Sequence, residues 1–475
     1  MRAIAAAPPP GLRRPAAADI AALRAALGDD SVVTEPDALA RFEHDETEAL
    51  RFAADVAVLP SNVEQVQAAL RIAAAARLAV VPRGAGTGLS GGALPVHGGV
   101  VLALERLDRI RALDRRDLVA EVEAGVTTAE LQRRAEEAGL FYPPDPASKE
   151  TCLVGGNVAE DSAGPRSCKY GSTRKWVLGL EVVLADGTLL ATGSRCRKDA
   201  TGYDLTQLLV GSEGTLAVIT AATLRLAALP RATLTALVPF GDLRAAAAAV
   251  ERLFAAGIDP AACELLERAA LAAVARVAPL PAGLADAQAS LLDELAGDAP
   301  DALLARAGRL AALTAAAGGG ELLVAADAAG QRRLWQVRSQ VGEAVKALSA
   351  YKECDAVVPR SRLADLVEAA RSSAARQGLE AIVYGHAGDG NLHVNLLRGD
   401  LDEEVWRTRR DAAEDELFRR VVDLGGRISG EHGIGWVQRR HLPLALSSAE
   451  IALQRRLKRA FDPRGILNPG KIFTD

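Results

Sequence analysis

The chain has 475 residues, a formal net charge of −5, 49% hydrophobic and 25% charged residues. That length exceeds one hydrophobic core and implies two or three domains, and the composition is that of a soluble globular protein. With no basic block and no apolar run approaching about 20 residues, nucleic acid is excluded as the expected partner and a membrane span is not expected. Five scattered cysteines (152, 168, 196, 263, 354) contain no C-x-x-C pair, so neither a disulfide framework nor an iron–sulfur cluster is indicated. Any redox chemistry must therefore deliver its electrons to a partner outside this chain.

In chain order, residues 1–15 read as a disordered start: three prolines follow a short apolar stretch, too short for a signal-peptide core, and cytoplasm is the default location. Residues 16–28 read as a helix ending at Gly28. A second helix is predicted over 62–77, with Asn62 as its cap and Val63, Val66, Leu70 and Ile72 among its apolar positions. Strands are predicted at 78–82, 99–104 and 118–124, a helix at 128–138, and a long functional loop system over 143–176. A hairpin follows, with strands at 178–184 and 188–192 joined at Asp186-Gly187. Leu234–Phe240 reads as a strand. An Ala/Leu/Arg-rich stretch, 242–316, reads as helical, then a strand at 321–326 and a helix at 329–349. The tail, 449–475, is a helix with a Pro/Gly-punctuated end.

The run Arg83-Gly84-Ala85-Gly86-Thr87-Gly88-Leu89-Ser90-Gly91-Gly92 follows a predicted strand directly. Its glycines allow backbone N–H groups to cradle a pyrophosphate. Gly86, Gly88 and Gly91 match the Rossmann spacing, but that motif needs a helix immediately afterwards. Here Pro95, Gly98 and Gly99 follow, so a Rossmann domain is rejected. Further glycine-rich stretches, at 155–164 and 211–215, fall in the loop system and beyond it.

Downstream, His386 and His393 flank Gly388-Asp389-Gly390-Asn391. With Asp389-Gly390 as a two-residue hairpin loop, His386 would sit opposite His393, a spacing suited to one divalent metal. Ser429-Gly430-Glu431-His432-Gly433 adds a carboxylate and an imidazole. In an extended segment these two face opposite ways, which gives Glu431 to the metal and His432 to proton transfer.

These motifs together resemble the vanillyl-alcohol oxidase / p-cresol methylhydroxylase (PCMH-type) superfamily. Within it the match is to the branch of the glycolate oxidase flavin subunit, D-lactate dehydrogenase and D-2-hydroxyglutarate dehydrogenase. The resemblance runs from about Arg41 to Phe473 and includes the ending Phe461-Asp462-Pro463, Asn468-Pro469-Gly470-Lys471. It implies an α+β fold: a split FAD-binding domain (16–228, rejoined by 441–475) and an inserted α+β cap (229–440) carrying the substrate and metal site. It implies non-covalent FAD held by Arg83, Gly84, Ala85, Gly86, Thr87, Gly88, Ser90, Gly91, Pro144, Gly155, Gly156, Asp161, Ser162, Gly164, Glu213, Gly214, Ile219 and Asn468. The family's Asn-Ala-Gly-Gly is replaced by Asp161-Ser162-Ala163-Gly164, where Asp161 keeps an acceptor.

The metal ligands implied are His386, His393 and Glu431, for zinc first and manganese or iron as alternatives, with His432 as catalytic base. Arg338, Lys352 and Asn395 are implied to bind substrate. Gly342 stands where the D-2-hydroxyglutarate enzymes carry a threonine, which favours a smaller substrate, D-lactate or glycolate. The acceptor would be a quinone, a cytochrome, an electron-transfer flavoprotein or an iron–sulfur subunit, which would account for any peripheral membrane attachment, and a homodimer is one arrangement considered. Competing readings are a D-2-hydroxyglutarate dehydrogenase, a non-catalytic FAD-carrying subunit, and a metal-free superfamily enzyme.

Overall fold

The computed structural model describes residues 5–474. They divide into two compact units: residues 5–162, 172–229 and 431–474 form the first, and 163–171 with 230–430 the second. The chain thus returns to the first unit at Glu431 rather than at 441, and a short piece of the predicted loop system belongs with the second unit.

In the first unit, β1 (Val32–Val33), β2 (Val56–Val58), β3 (Val80–Arg83) and β4 (Val100–Ala103) form one sheet in the order β1-β2-β4-β3. A second sheet has the order β5-β6-β10-β8-β9. Its strands are β5 (Ile110–Asp114), β6 (Val119–Glu123), β8 (Val177–Val183), β9 (Leu189–Gly193) and β10 (Val218–Arg225). The short strands β7 (Leu140–Phe141) and β11 (Ala227–Ala228) pair with each other.

The helix Val63–Ala76 begins where the sequence predicts, because the Asn62 side chain accepts from the Gln65 N–H at 2.9 Å. Such a cap contributes about 1 kcal/mol. Val66, Leu70 and Ala73 recur at helical spacing and pack into the core with Val56, Val80 and Leu102; each large side chain so buried contributes roughly 1.5–3 kcal/mol. The C-terminal segment joins the same sheet: Val80 N–H donates to Ile466 O at 2.8 Å and Asn468 N–H to Val80 O at 2.7 Å. Sheet pairing with β3 therefore closes a domain whose two parts are far apart in sequence.

Residues 1–4 of the predicted disordered start lie outside the described residues. The rest of it is tied to the first unit by polar contacts: Ala6 N–H donates to Val96 O at 2.7 Å, and Arg13 and Arg14 pair with Asp19 and Asp55.

The second unit is a seven-stranded sheet of order β15-β12-β14-β13-β17-β18-β16. Its strands are β12 (Ala232–Phe240), β13 (Ala262–Glu267), β14 (Ala289–Gly297), β15 (Leu323–Ala325), β16 (Tyr351–Val357), β17 (Glu380–His386) and β18 (Asn391–Leu397). All pairings are antiparallel. The stretch predicted as helical over 242–316 is corrected here. It holds helices Leu243–Ala255, Arg268–Val274 and Pro300–Ala316, but β13 and β14 lie between them. Both strands are buried on both faces, so they show no polar alternation, and their Ala and Leu content mimics a helix. The predicted helix at 329–349 is two helices, Ala328–Ser339 and Val341–Leu348.

Candidate active site

In the first unit a cavity opens beside the glycine loop. It is lined by residues 83–89, Gly92, residues 146–148, residues 155–157, Glu160, Ser162, Glu213, Gly214, Ile219, Asn468 and the pair Glu431 and His432. Among the described residues, no backbone N–H of residues 85–92 donates to a protein acceptor. A row of unused donors in a glycine loop is a binding surface for an anionic group such as a pyrophosphate. A Cβ on Gly84 would come within 3.7 Å of Gly156 Cα, so two glycine backbones face each other across the loop base. These features fit FAD.

The loop is held from below. At Gly86, φ is +77°, and a Cβ there would lie 2.1 Å from Arg83 Nη2. The Arg83 guanidinium is buried under the loop and donates to Arg41 O at 3.1 Å. Asn468 Nδ2 donates to Gly92 O and Glu213 O, at 2.9 and 2.8 Å. Lys471 Nζ donates to Gly92 O and Leu94 O, both at 2.9 Å, and burial pushes its pKa down to about 7. Glu213 accepts from Ile434 N–H at 2.8 Å and Gly435 N–H at 2.6 Å, which pins the segment after His432. Glu160 lies beside it: burial, then the neighbouring Glu213, pushes its carboxyl well above the usual range.

Other predicted FAD residues sit elsewhere. Ser90 is buried, and its carbonyl accepts from Trp436 and Val437 N–H. Gly91 packs against the Trp436 Cβ at the position a Cβ would need. Pro144 is turned to Gln132, while 146–148 line the cavity in its place. The Asp161 carboxylate is engaged by Arg174 N–H and Nε, both at 2.8 Å, and the residue does not line the cavity. Gly164 belongs to the second unit. The segment at Glu431 is not extended, as the sequence reading assumed. It bends at 431–432, and both side chains line this one cavity.

In the second unit, one face of the sheet gathers the remaining candidates. The hairpin register differs from the expected one: His386 pairs with Asn391, and Tyr384 pairs with His393. The connection is the four-residue turn 387–390, closed by Asp389 N–H to His386 O and Gly390 N–H to Ala387 O, in place of a two-residue loop. The shift is an even number of residues, so both histidines keep the same face and become diagonal neighbours. Their ring centroids are 5.2 Å apart. Both are buried, and two imidazoles so disposed fit a divalent metal.

Around them, β13 places Glu264 beside His386. The Glu264 carboxylate holds His386 Nδ1 at 2.7 Å and Arg338 Nε at 2.6 Å. Burial alone would push this carboxyl up; the His386 and Arg338 neighbours outweigh it and hold it at about 2. The Arg338 guanidinium also lies 4.8 Å from the centre of the Tyr384 ring. Asn395 pairs with Ile382 and Glu353 and shares the histidine face. Lys352, predicted to bind substrate, pairs with Leu396 and lies on the opposite face. The pleat puts Glu353 on the histidine face instead, with its Oε1 3.7 Å from His393 Nδ1. Asp355 accepts from Asn391 Nδ2, Ser429 Oγ and Gly430 N–H, which fixes the chain just ahead of Glu431.

Glu264, Glu353 and Asp355 were not singled out from the sequence. The turn residues Gly257 and Pro260 precede β13 and were the available signal for its start.

Residues 54–193 match the FAD binding domain family, and residues 229–472 match the C-terminal domain of the FAD linked oxidases. The chain belongs to the FAD-linked oxidases. This FAD-linked oxidase is 38% identical to the glycolate oxidase subunit GlcD of Bacillus subtilis, over 91% of this chain and 92% of that one. It is 38% identical to a D-lactate dehydrogenase of Archaeoglobus fulgidus (88% and 91% covered) and 35% identical to a D-2-hydroxyglutarate dehydrogenase of Stutzerimonas stutzeri (95% and 98%). It is thus an FAD-linked oxidoreductase of that branch. The structure of p-cresol methylhydroxylase matches at a TM-score of 0.81, 20% identity and 96% coverage of both chains, a likeness of fold.

Replacing Gly86 with alanine forces a side chain into both a positive-φ backbone and the Arg83 guanidinium. The flavin-to-protein absorbance ratio of purified Gly86→Ala, after dialysis, is expected to fall at least about tenfold. Full flavin retention would contradict the cradle assignment.

Proposed function

We propose that this FAD-linked oxidase oxidises a small D-2-hydroxy monocarboxylate, D-lactate or glycolate, to the 2-keto acid and passes the electrons to an external acceptor. The observation that carries the reading is one sheet face bearing His386 and His393, with Arg338 of the helix Ala328–Ser339 bound to Glu264 on that same face. It supplies two imidazole nitrogen ligands and a cation suited to a carboxylate.

His386 and His393, with Glu431 as the resemblance assigns it, would hold a divalent metal, zinc first. Arg338 would bind the substrate carboxylate by parallel hydrogen bonds, and Asn395 would contact the substrate from the same face. His432 would take the hydroxyl proton, as an imidazole whose ordinary pKa lies near neutrality. When bound, the metal supplies Lewis acidity at the hydroxyl and the flavin accepts the C2 hydride. FAD would be held without a covalent bond, since residues 83–92 contain neither His nor Cys.

Two features favour a monocarboxylate over 2-hydroxyglutarate. Gly342, whose absent Cβ would face the Tyr384 hydroxyl at 3.9 Å, offers no side-chain donor. Glu353, on the histidine face, repels a second carboxylate.

Under anaerobic conditions D-lactate should bleach the yellow protein within the dead time of manual mixing, and L-lactate should not. His432→Ala should slow bleaching by about 10²–10⁴-fold; an unchanged rate would remove His432 as the base. Failure of every 2-hydroxy acid to bleach the flavin would instead favour a non-catalytic FAD-carrying subunit. For Glu353→Gln, the ratio of kcat/KM for D-2-hydroxyglutarate to that for D-lactate should rise about tenfold, as the repulsion is lost. An unaltered ratio would show that Glu353 does not set this preference.

A further inference from the structure

Glu264 is fully buried, in the middle of a sheet, with each carboxylate oxygen given to a different functional group. Oε1 meets His386 Nδ1 at 2.7 Å, and Oε2 meets Arg338 Nε at 2.6 Å. The three side chains come from separate places in the chain: β13, β17 and the helix Ala328–Ser339. Side-chain exposure is 0% for Glu264, 6% for His386 and 13% for Arg338. Little water competes for these bonds, and the long arginine side chain is held by a charge-assisted bond at the base of its guanidinium.

The bond to His386 has a chemical consequence. A carboxylate only accepts, so Nδ1 carries the hydrogen, and the lone pair of the imidazole is presented at Nε2. A buried carboxylate behind a histidine also raises that histidine's strength as a ligand. The bond to Arg338 works differently. It takes the Nε edge and sets the plane of the guanidinium, so the terminal nitrogens are the part aimed at a carboxylate. The Tyr384 ring, 4.8 Å from the guanidinium carbon, is a second wall for that plane.

We propose that Glu264 is a positioning residue that ties the metal-binding face of His386 to the carboxylate-binding face of Arg338, so that metal retention and substrate binding fall together when it is lost. This rests on the function proposed above. An ordinary buried ion pair would affect only folding. A shared brace changes two binding constants in a folded protein.

The test uses flavin-loaded full-length protein and four variants: Glu264→Gln, Glu264→Asp, His386→Ala and Arg338→Gln. Zinc retained against a graded chelator is measured by elemental analysis. The visible absorption of the cobalt-substituted protein reports on the ligand field, and KM and kcat for D-lactate are measured separately. Glu264→Gln should retain zinc about 10–100-fold less tightly and shift the cobalt bands. Its KM should rise at least about tenfold, approaching that of Arg338→Gln. Glu264→Asp keeps the charge on a shorter stem, so it should recover part of both properties. It also stands in for Glu264→Gln if the neutral variant does not fold: zinc binding and KM must then lie between wild type and His386→Ala or Arg338→Gln, respectively.

Wild-type zinc affinity and KM in a folded Glu264→Gln protein would overturn the proposal. So would a lowered melting temperature with both constants unchanged. If wild type and His386→Ala retain zinc equally, the metal assignment itself has failed, and the proposal falls with it.

Discussion

A carboxylate buried in the middle of a sheet is costly unless its charge is met, and Glu264 meets it with a histidine on the next strand and an arginine from a covering helix. Removing any one member leaves the others charged or polar in a dry interior. The triad is therefore a constraint on the second unit: β13, β17 and the helix Ala328–Ser339 must come together in one arrangement. The same constraint decides which nitrogen His386 can offer and which edge Arg338 can present. Stability and site geometry are here served by the same two bonds.

The first unit solves a different problem. Its glycine loop must leave its own amides unused if it is to hold a pyrophosphate, and a loop without internal bonds needs support from elsewhere. That support comes from the end of the chain. Asn468 and Lys471 bind the loop's far carbonyls, β3 pairs with residues 466–468, and Glu213 holds the amides after His432. The domain is split in sequence because the tail is part of the loop's scaffold. This also brings Glu431 and His432 to the wall of the cavity that the glycine loop lines.

Local chemistry made part of this legible in the sequence. Asn62 announces a helix start, Asp186-Gly187 a tight turn, and the glycine loop its own use. The failures have physical causes of two kinds. Strands β13 and β14 are buried on both faces and built from Ala, Leu and a few acids, so neither periodicity nor propensity separates them from helix; Glu264 went unseen with them. Register is the other cause. The turn after His386 takes two more residues than Asp-Gly alone suggests, and because two is even, the histidine pair kept its face. Lys352, implied by the resemblance alone, lies one position off the histidine face, an odd step, and the pleat puts Glu353 on that face. A residue's side of a sheet survives even errors and is reversed by odd ones.

The proposed function requires His386 and His393 to hold one metal ion. The most direct measurement is X-ray absorption at the metal edge of the protein as purified. Two imidazole ligands at about 2.0–2.1 Å, with the remaining scatterers oxygen, are predicted for zinc. A purified, catalytically active protein that contains no stoichiometric metal, or a bound metal with no imidazole scattering, would contradict the account.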